Sequence, residues 1–442
     1  LTEQATEAYR RCIELRPDDR ELTSVNEATA RLLTSPEWFH PQRHLFRYSF
    51  VRARPIDDAW RKKYLEPRWV GECGVNTVYS SCVWLAYLTS GEEKYRRWVL
   101  DYCAAWNRAA AANKGVFPYH IDTPSGRLGP GGDGRWWAGS SHEGRGGTSS
   151  FDYARYGMVT PTRGLRNLPV AAAFLDGGDE KHVAGLVSTV KAVFANAKNG
   201  LPAAAYDPEQ GGWFRGKKWP HHIPVLLDKA YVLTWDEELR KLMDSYPVEK
   251  VRWLEQEFAE WCRFTYCGRG GPEVAEKAFD RAVHRAESRM RKAAALEEPR
   301  KGDDLTDVTL ERVCDFAYVD GAQWGGHNAR CGGPSPGPVG YFDEKGRRGL
   351  PAGVAALVRN VDEGSVTLLL CNTNDRPVRL LVTGGYYGQH RIGSLSCAQV
   401  KAKLNARRVL LELPAKGLAE VKLGLTRCAL PPTLKPQTAE GR

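Results

Sequence analysis

Two stretches of this sequence align with each other without a gap, and that self-similarity constrains the fold more than any other feature. Val83-Trp84-Leu85-Ala86-Tyr87-Leu88 leads to Gly91-Glu92-Glu93-Lys94-Tyr95, and Val170-Ala171-Ala172-Ala173-Phe174-Leu175 leads to Gly178-Asp179-Glu180-Lys181-His182. A second helical run follows each of them. Those runs end at Asn113-Lys114-Gly115 and Lys198-Asn199-Gly200, which read as helix stops of the glycine-after-helix kind. Each stop opens a proline-containing segment that ends in aspartate, Val116 to Asp122 and Leu201 to Asp207. A third, weaker copy runs from Ala230-Tyr231-Val232-Leu233-Thr234 into Asp236-Glu237-Glu238-Leu239.

Each unit therefore reads as an apolar helix, a short acidic turn, an amphipathic helix and a long loop. A helix pair of this kind cannot bury its own apolar face and must stack on its neighbours. The first helix is apolar nearly all round, as Val83 to Leu88 is, whereas the second carries charge on one face, as Lys94 to Trp106 does. That contrast favours a closed α/α toroid over an open solenoid, with the long loops gathered on one end. Thr2 to Arg16 and Ser24 to Leu33 read as further helices, and Pro272 to Glu298 as a charged outer or capping helix.

The composition shifts after this. All 14 Trp lie at or before Trp324. Beyond Gly332 come Gly-Pro punctuation and runs of period two: Ala355–Arg359, Ser365–Leu370, Val378–Val382, Arg408–Leu413 and Leu418–Leu425. Such runs predict an antiparallel β-sandwich. The expected organisation is α+β and multidomain: an α/α-toroid domain over 1–331, then a β-sandwich domain over 332–442 with a linker, Gly332 to Gly340, at its start.

With 442 residues, 42% hydrophobic and 26% charged, the composition is that of a globular chain, which excludes a disordered polymer, a collagen and an extended coiled coil. No apolar run approaches the ~18–20 residues of a membrane helix, so no membrane partner is expected. The sequence opens on Leu1 with no signal-peptide pattern. The expectation is a processed or truncated product, secreted or periplasmic if an export signal has been removed. The net charge of +10 suits either an ordinary basic surface or a polyanionic partner. No helix-turn-helix, zinc-finger or RNA-recognition pattern is present, so nucleic acid is not expected and an acidic polysaccharide remains. None of the 11 Cys forms a C-x-x-C pair, and the nearest two, Cys262 and Cys267, carry little zinc signal. Cys82 and Cys103 fall in apolar helical stretches, where a thiol acts as a small hydrophobe. Neither a metal nor a cofactor is expected.

Chemistry is concentrated in two loops. The first, Thr123 to Arg163, holds Arg135-Trp136-Trp137, His142-Glu143 and Asp152-Tyr153 in a glycine-rich setting. A stretch this long without secondary structure is commonly functional or disordered, and its aromatic residues argue against disorder. The second cluster follows the second repeat: Tyr206, Asp207, Glu209, Trp213, Phe214, Arg215, Lys217, Trp219, His221 and His222. It matches the position of Tyr119, His120 and Asp122 after the first repeat. Aromatic faces stack on the C–H face of a pyranose, while Arg and His hold hydroxyls or a uronate carboxylate. Candidate substrate-binding residues are accordingly Arg135, Trp136, Trp137, Tyr119, His120, Trp213, Arg215, Lys217, Trp219 and His221. The competing structural roles are a hydrophobic plug for Trp136 and Trp137 and an Asx-type turn for Asp122.

Two reactions fit these residues. In β-elimination on a uronate glycan, Arg135 would neutralise the carboxylate while His142, Tyr153 and His222 move protons. In glycoside hydrolysis, two carboxylates flank the bond, and Asp122 with Asp207 form the pair at matching repeat positions, with Glu143 and Glu209 as substitutes. P-loop, H-E-x-x-H, G-x-S-x-G and Rossmann patterns are absent. No D-x-D-D motif supports terpenoid chemistry.

The helix-pair repeat at 83–122 and 170–207, the Trp/Arg/His-rich loop 127–156 and the β-rich tail together resemble polysaccharide lyases and glycoside hydrolases built as an α/α toroid followed by a β-sandwich. That resemblance implies a carbohydrate-active enzyme. Its lyases use a Tyr/His pair with an Asn, His or Arg neutraliser, which Tyr153, His142 and Arg135 match by residue type. The expectation is a lyase acting on an acidic poly- or oligosaccharide. A hydrolase, or a non-catalytic glycan-binding protein of the same fold, is the alternative. The oligomeric state stays open.

Overall fold

The computed structural model describes residues 20–47, 71–118, 120–128, 167–203, 205–208, 211–214, 223–234, 236–246, 338–346, 349–362, 364–398 and 400–432. They fall into two compact units, a helical one from 20 to 246 and a strand-built one from 338 to 432. The architecture is α+β, with helices first and antiparallel sheets in the C-terminal region.

In the helical unit, α1 (Arg20–Leu33) precedes two short strands, β1 (Phe39–His40) and β2 (Leu45–Phe46), which pair antiparallel. Next come β3 (Glu72–Cys73), α2 (Ser80–Ser90), α3 (Glu93–Ala112) and β4 (His120–Ile121). The second repeat supplies α4 (Leu168–Leu175), α5 (Ala184–Ala195), β5 (Ala205–Asp207) and β6 (Gly212–Phe214); the third supplies α6 (Ile223–Thr234) and α7 (Glu237–Ser245). All three expected helix pairs are present. The predicted helix over Ser24 to Leu33 is the body of α1. Those over Thr2 to Arg16 and Pro272 to Glu298 lie outside the described residues, as do the residues on which closure of the toroid rests.

The contrast between first and second helices has a simple cause. Helix α4 buries all eight of its residues, and α2 buries Cys82 through Ala86 together with Leu88. Helix α3 buries only the stripe Tyr95, Trp98, Val99, Tyr102, Cys103, Ala105, Trp106 and Ala109–Ala110, at the i, i+3, i+4 spacing that places side chains on one face. The Cys82 thiol, buried inside α2, is pushed up to about 12 by desolvation, so it packs as a hydrophobe and not as a nucleophile.

The acidic turns do capping work. Gly91 (φ 78°) and Gly178 (φ 82°) adopt the left-handed conformation that closes α2 and α4, donating to Tyr87 O at 2.8 Å and Ala173 O at 2.7 Å. Asp179 and Asp236 then accept from the backbone N–H two residues on, at 3.0 and 2.8 Å, and so cap the start of the following helical segment.

One expected stop moves. Helix α3 ends where the Asn113-Lys114-Gly115 signal places it. Helix α5 ends at Ala195, ahead of Lys198-Asn199-Gly200. Asn199 (φ 53°) and Gly200 (φ 78°) instead form a two-residue turn across which Lys198 and Leu201 exchange backbone hydrogen bonds at 2.9 and 3.1 Å. The Asn196 side chain donates to Ala192 O at 2.9 Å, and Ala203 N donates back to Val193 O at 2.8 Å, folding the chain over the helix end.

Contacts between the first two repeats advance in step along both chains. Arg96 meets Asp176 at 3.0 Å, Cys103 Sγ donates to His182 O at 3.3 Å, Gly185 N donates to Asn107 Oδ1 at 3.1 Å, and Ser188 Oγ donates to Gly115 O at 2.7 Å. The two segments therefore run side by side in the same direction, and the loops that follow them leave from the same end.

The strand unit contains β7 (Val339–Asp343), β8 (Val354–Asp362), β9 (Ser365–Asn372), β10 (Val378–Gly384), β11 (Arg391–Cys397), β12 (Val400–Ala406), β13 (Arg408–Leu413) and β14 (Leu418–Thr426). They form two antiparallel sheets, ordered β13-β10-β7 and β12-β11-β14-β9-β8. Tyr341, Leu380 and Val382 from the smaller sheet share one core with Val358, Leu368, Leu370, Val421 and Leu423 from the larger. This is face-to-face sheet packing, as the alternating runs predict. Val339 and Gly340, expected in the linker, instead open β7. Gly340 is required there because a Cβ would lie 2.7 Å from Thr383 Oγ1 on the paired strand.

Candidate functional site

The loop after α3 is anchored before it reaches its acidic residue. Phe117 N donates to Thr189 Oγ1 at 3.0 Å, fixing the loop to α5. Strand β4 then pairs with β3, Ile121 opposite Glu72 and His120 opposite Cys73. Asp122 follows at once and heads a tight turn. Its Oδ2 accepts from Ser125 N at 3.0 Å and from the Ser125 hydroxyl, while its own N–H donates to Arg127 O at 2.8 Å. This is the Asx-type geometry weighed from sequence. The second oxygen, Oδ1, has no partner among the described residues.

Two residues that sequence reasoning did not nominate border this turn. Glu72 is fully buried, and its Oε2 accepts from Phe46 N at 2.7 Å. The Thr123 hydroxyl donates to Phe46 O at 2.6 Å, so side chains from β3 and from the turn hold both backbone groups of Phe46. Arg43 donates through Nη2 to Pro124 O at 2.8 Å, which lays a guanidinium along the turn headed by Asp122. Glu72 sits in no periodic pattern, and Arg43 reaches the turn across a long stretch of chain, so neither leaves a local sequence signal.

The loop after α5 ends in the β5–β6 hairpin, with Tyr206 directly opposite Trp213 and Asp207 opposite Gly212. The Tyr206 and Trp213 rings meet edge to face, centroids 5.3 Å apart at 61°, and both residues are half-buried. Cross-strand aromatic pairs of this kind stiffen a short hairpin while leaving ring area open to solvent. Asp207 is the next residue on β5. Asp122 thus heads a turn after β4 on the segment following α3, whereas Asp207 closes β5 in a hairpin on the segment following α5.

Of the other candidate residues, His120 is placed by its backbone on β4. Tyr119, Arg135, Trp136, Trp137, His142, Tyr153, Arg215, Lys217, Trp219, His221 and His222, together with Glu143 and Glu209, lie outside the described residues. Among the described residues no group of three or more His, Cys, Asp or Glu side chains is arranged to hold a metal ion, and no helix is long and apolar enough to cross a membrane.

Residues 55–142 match a family described as a domain of unknown function (DUF8034). No curated protein matches the chain. Among solved structures, the chain is similar to the crystal structure of Ara127N-Se, a GH127 β-L-arabinofuranosidase from Geobacillus stearothermophilus T6. The identity is 11% and the TM-score 0.35, over 96% of this chain and 71% of that one.

Proposed function

We propose that the helical unit binds a saccharide against the β5–β6 hairpin and cleaves a glycosidic bond, with Asp122 and Asp207 as the carboxylate pair. The observation that carries this reading is the Tyr206–Trp213 pair, half-open to solvent and adjacent in sequence to Asp207. An aromatic platform offers a face for the C–H side of a sugar ring, and Asp207 follows Tyr206 on the same short strand. One carboxyl group protonates the departing glycosidic oxygen while the other activates water or attacks the anomeric carbon. Asp122 is held in a fixed orientation by its turn. Ser125 pins one of its oxygens and fixes the plane of the carboxylate, and the other oxygen has no protein partner among the described residues. Arg43, held along the same turn, adds a donor for sugar hydroxyls.

The test is product analysis on a panel of neutral and uronate-containing glycans and aryl glycosides. Reducing-end release without ultraviolet absorbance of an unsaturated sugar is the expected result, abolished in Asp207→Asn and in Asp122→Asn. An ultraviolet-absorbing product would transfer the chemistry to β-elimination by Arg135, His142, Tyr153 and His222. Glycan binding without turnover would make the protein a binding module.

A further inference from the structure

A cleft of about 610 Å³ opens in the strand unit, where the end of β7, the turn before β8, the β9–β10 connection and the start of β10 meet. That volume is in the range of small-molecule sites. A buried polar network holds its walls. Asn372 is fully buried, and its Nδ2 lies 2.9 Å from Arg376 O and Pro414 O and 3.2 Å from Leu413 O. Its Oδ1 accepts from Asn374 N at 3.0 Å and from Asn374 Nδ2 at 2.9 Å. Asn374 Nδ2 also donates to Ala352 O at 2.9 Å, in space that only a glycine at 353 leaves open: a Cβ there would lie 2.6 Å from the Asn374 amide.

The charges around this cleft are unequally committed. Asp343 accepts from Lys345 N at 3.0 Å, and Arg379 faces Glu412 across the strands at 3.8 Å. Among the described residues, the Lys345 ammonium, the Arg376 guanidinium and the Glu344 carboxylate have no hydrogen-bond or ion-pair partner. The lining thus carries Lys345, Arg376 and Arg379 against Asp343, Glu344 and Glu412, and Arg376 offers a guanidinium with no carboxylate partner among the described residues. Pro351, Ala352 and Pro377 supply an aliphatic wall, and no aromatic ring lines the cleft, so a nucleobase would find no stacking surface.

We infer that this cleft binds the uronate residue of an acidic oligosaccharide, with Arg376 taking the carboxylate, Lys345 adding a point charge and the Pro/Ala wall meeting the C–H face of the ring. A planar guanidinium matches a carboxylate in two parallel hydrogen bonds, a geometry an ammonium cannot reproduce. Glu344 and Asn374 supply polar groups for the ring hydroxyls. The site is independent of the hydrolase reading, because it uses no residue of the helical unit.

The experiment is calorimetric titration of the full chain with tetragalacturonate and tetramannuronate, with maltotetraose as the neutral control, so that binding is read separately from turnover. At least one uronate should bind more tightly than maltotetraose. Arg376→Ala should weaken that binding at least tenfold and Arg376→Lys less than that, both with an unchanged unfolding midpoint, since the exposed Arg376 side chain makes no hydrogen bond or ion pair among the described residues. Lys345→Ala should weaken it several-fold. Equal affinity for neutral and acidic tetrasaccharides, undiminished binding by Arg376→Ala, or no binding of either uronate would overturn the assignment.

Discussion

The Asn107 side chain locks the first repeat to the second at Gly185. Its Oδ1 accepts from Gly185 N at 3.1 Å, and its Nδ2 donates to Lys181 O at 3.0 Å and His182 O at 3.1 Å. The approach is close enough to exclude any side chain at 185, where a Cβ would lie 2.5 Å from Asn107 Oδ1 and 2.8–2.9 Å from the Phe117 ring. Gly185→Ala should therefore separate α3 from α5 and lower stability by about 1–3 kcal/mol, the usual cost of overpacking. Urea denaturation measures it. An unchanged midpoint would show that the joint is looser than the geometry indicates.

Asp176 joins the same two repeats through charge. Its carboxylate meets Lys181 Nζ at 2.7 Å, His182 Nε2 at 2.8 Å and Arg96 Nη2 at 3.0 Å. Hydrogen bonds from Lys181 and then His182 hold its pKa down to about 2, against 3.8 for an ordinary aspartate. A depressed folded pKa adds stability that is complete above the unfolded value and is lost as pH falls toward 2. The group is partly solvated, so that contribution is about 1 kcal/mol. Asp176→Asn should be less stable than the wild type at pH 6 by that amount, and the two denaturation curves should converge between pH 4 and pH 2.

The helix pairs were readable because their signal is doubled. A 3.6-residue pattern recurs in register, and each copy ends in the same turn chemistry at Gly91 and Gly178. In the strand unit, β9 alternates cleanly and is equally visible, and β10, buried continuously from Leu380 to Gly384, shows as an apolar run. Strand β11 was not visible: Ile392 and Leu395 both face the core although two residues, Gly393 and Ser394, lie between them, because a bulge between Ile392 and Ser394 shifts the register. The same device extends β8 past Arg359, where a second bulge turns Val361 back toward the core and breaks the period-two run. Within the candidate site, the repeat alone nominates Asp122 and Asp207, and the Asx-type turn headed by Asp122 is the part the structure describes. Glu72 was not legible, since its value lies in the pairing of β3 with a strand on the far side of a helix hairpin.

His390 is a buried histidine with an assigned hydrogen-bond role. Its Nδ1 accepts from Cys428 N at 2.9 Å, which requires the proton on Nε2. Burial, reinforced by the charge of Arg427, lowers its pKa to about 3. The ring should therefore stay neutral in the folded protein across pH 5–8, and nitrogen-correlated NMR should report the Nε2–H tautomer without titration. Because the folded pKa lies below the unfolded one, stability should fall as pH drops below the ordinary histidine value of 6.5. His390→Gln should flatten that decline. A resonance shift of the His390 ring near pH 6.5 in the folded state would contradict the assignment.

The last expectation separates binding from chemistry on the β5–β6 hairpin. If Trp213 is a stacking surface for sugar, Trp213→Ala should raise KM about 2- to 10-fold, the equivalent of the ~0.5–1.5 kcal/mol carried by an aromatic contact, and change kcat less. Trp213→Phe keeps a ring opposite Tyr206 and should recover most of the loss. The alanine variant also removes a cross-strand pair worth about 0.2–1 kcal/mol to the hairpin, so its melting curve must be followed beside its kinetics. Asp207→Asn leaves the ring pair in place and should act on kcat with KM nearly constant, the signature of an interaction made in the transition state. The reverse division, with Trp213→Ala lowering kcat alone and Asp207→Asn raising KM alone, would remove the hairpin from the catalytic centre.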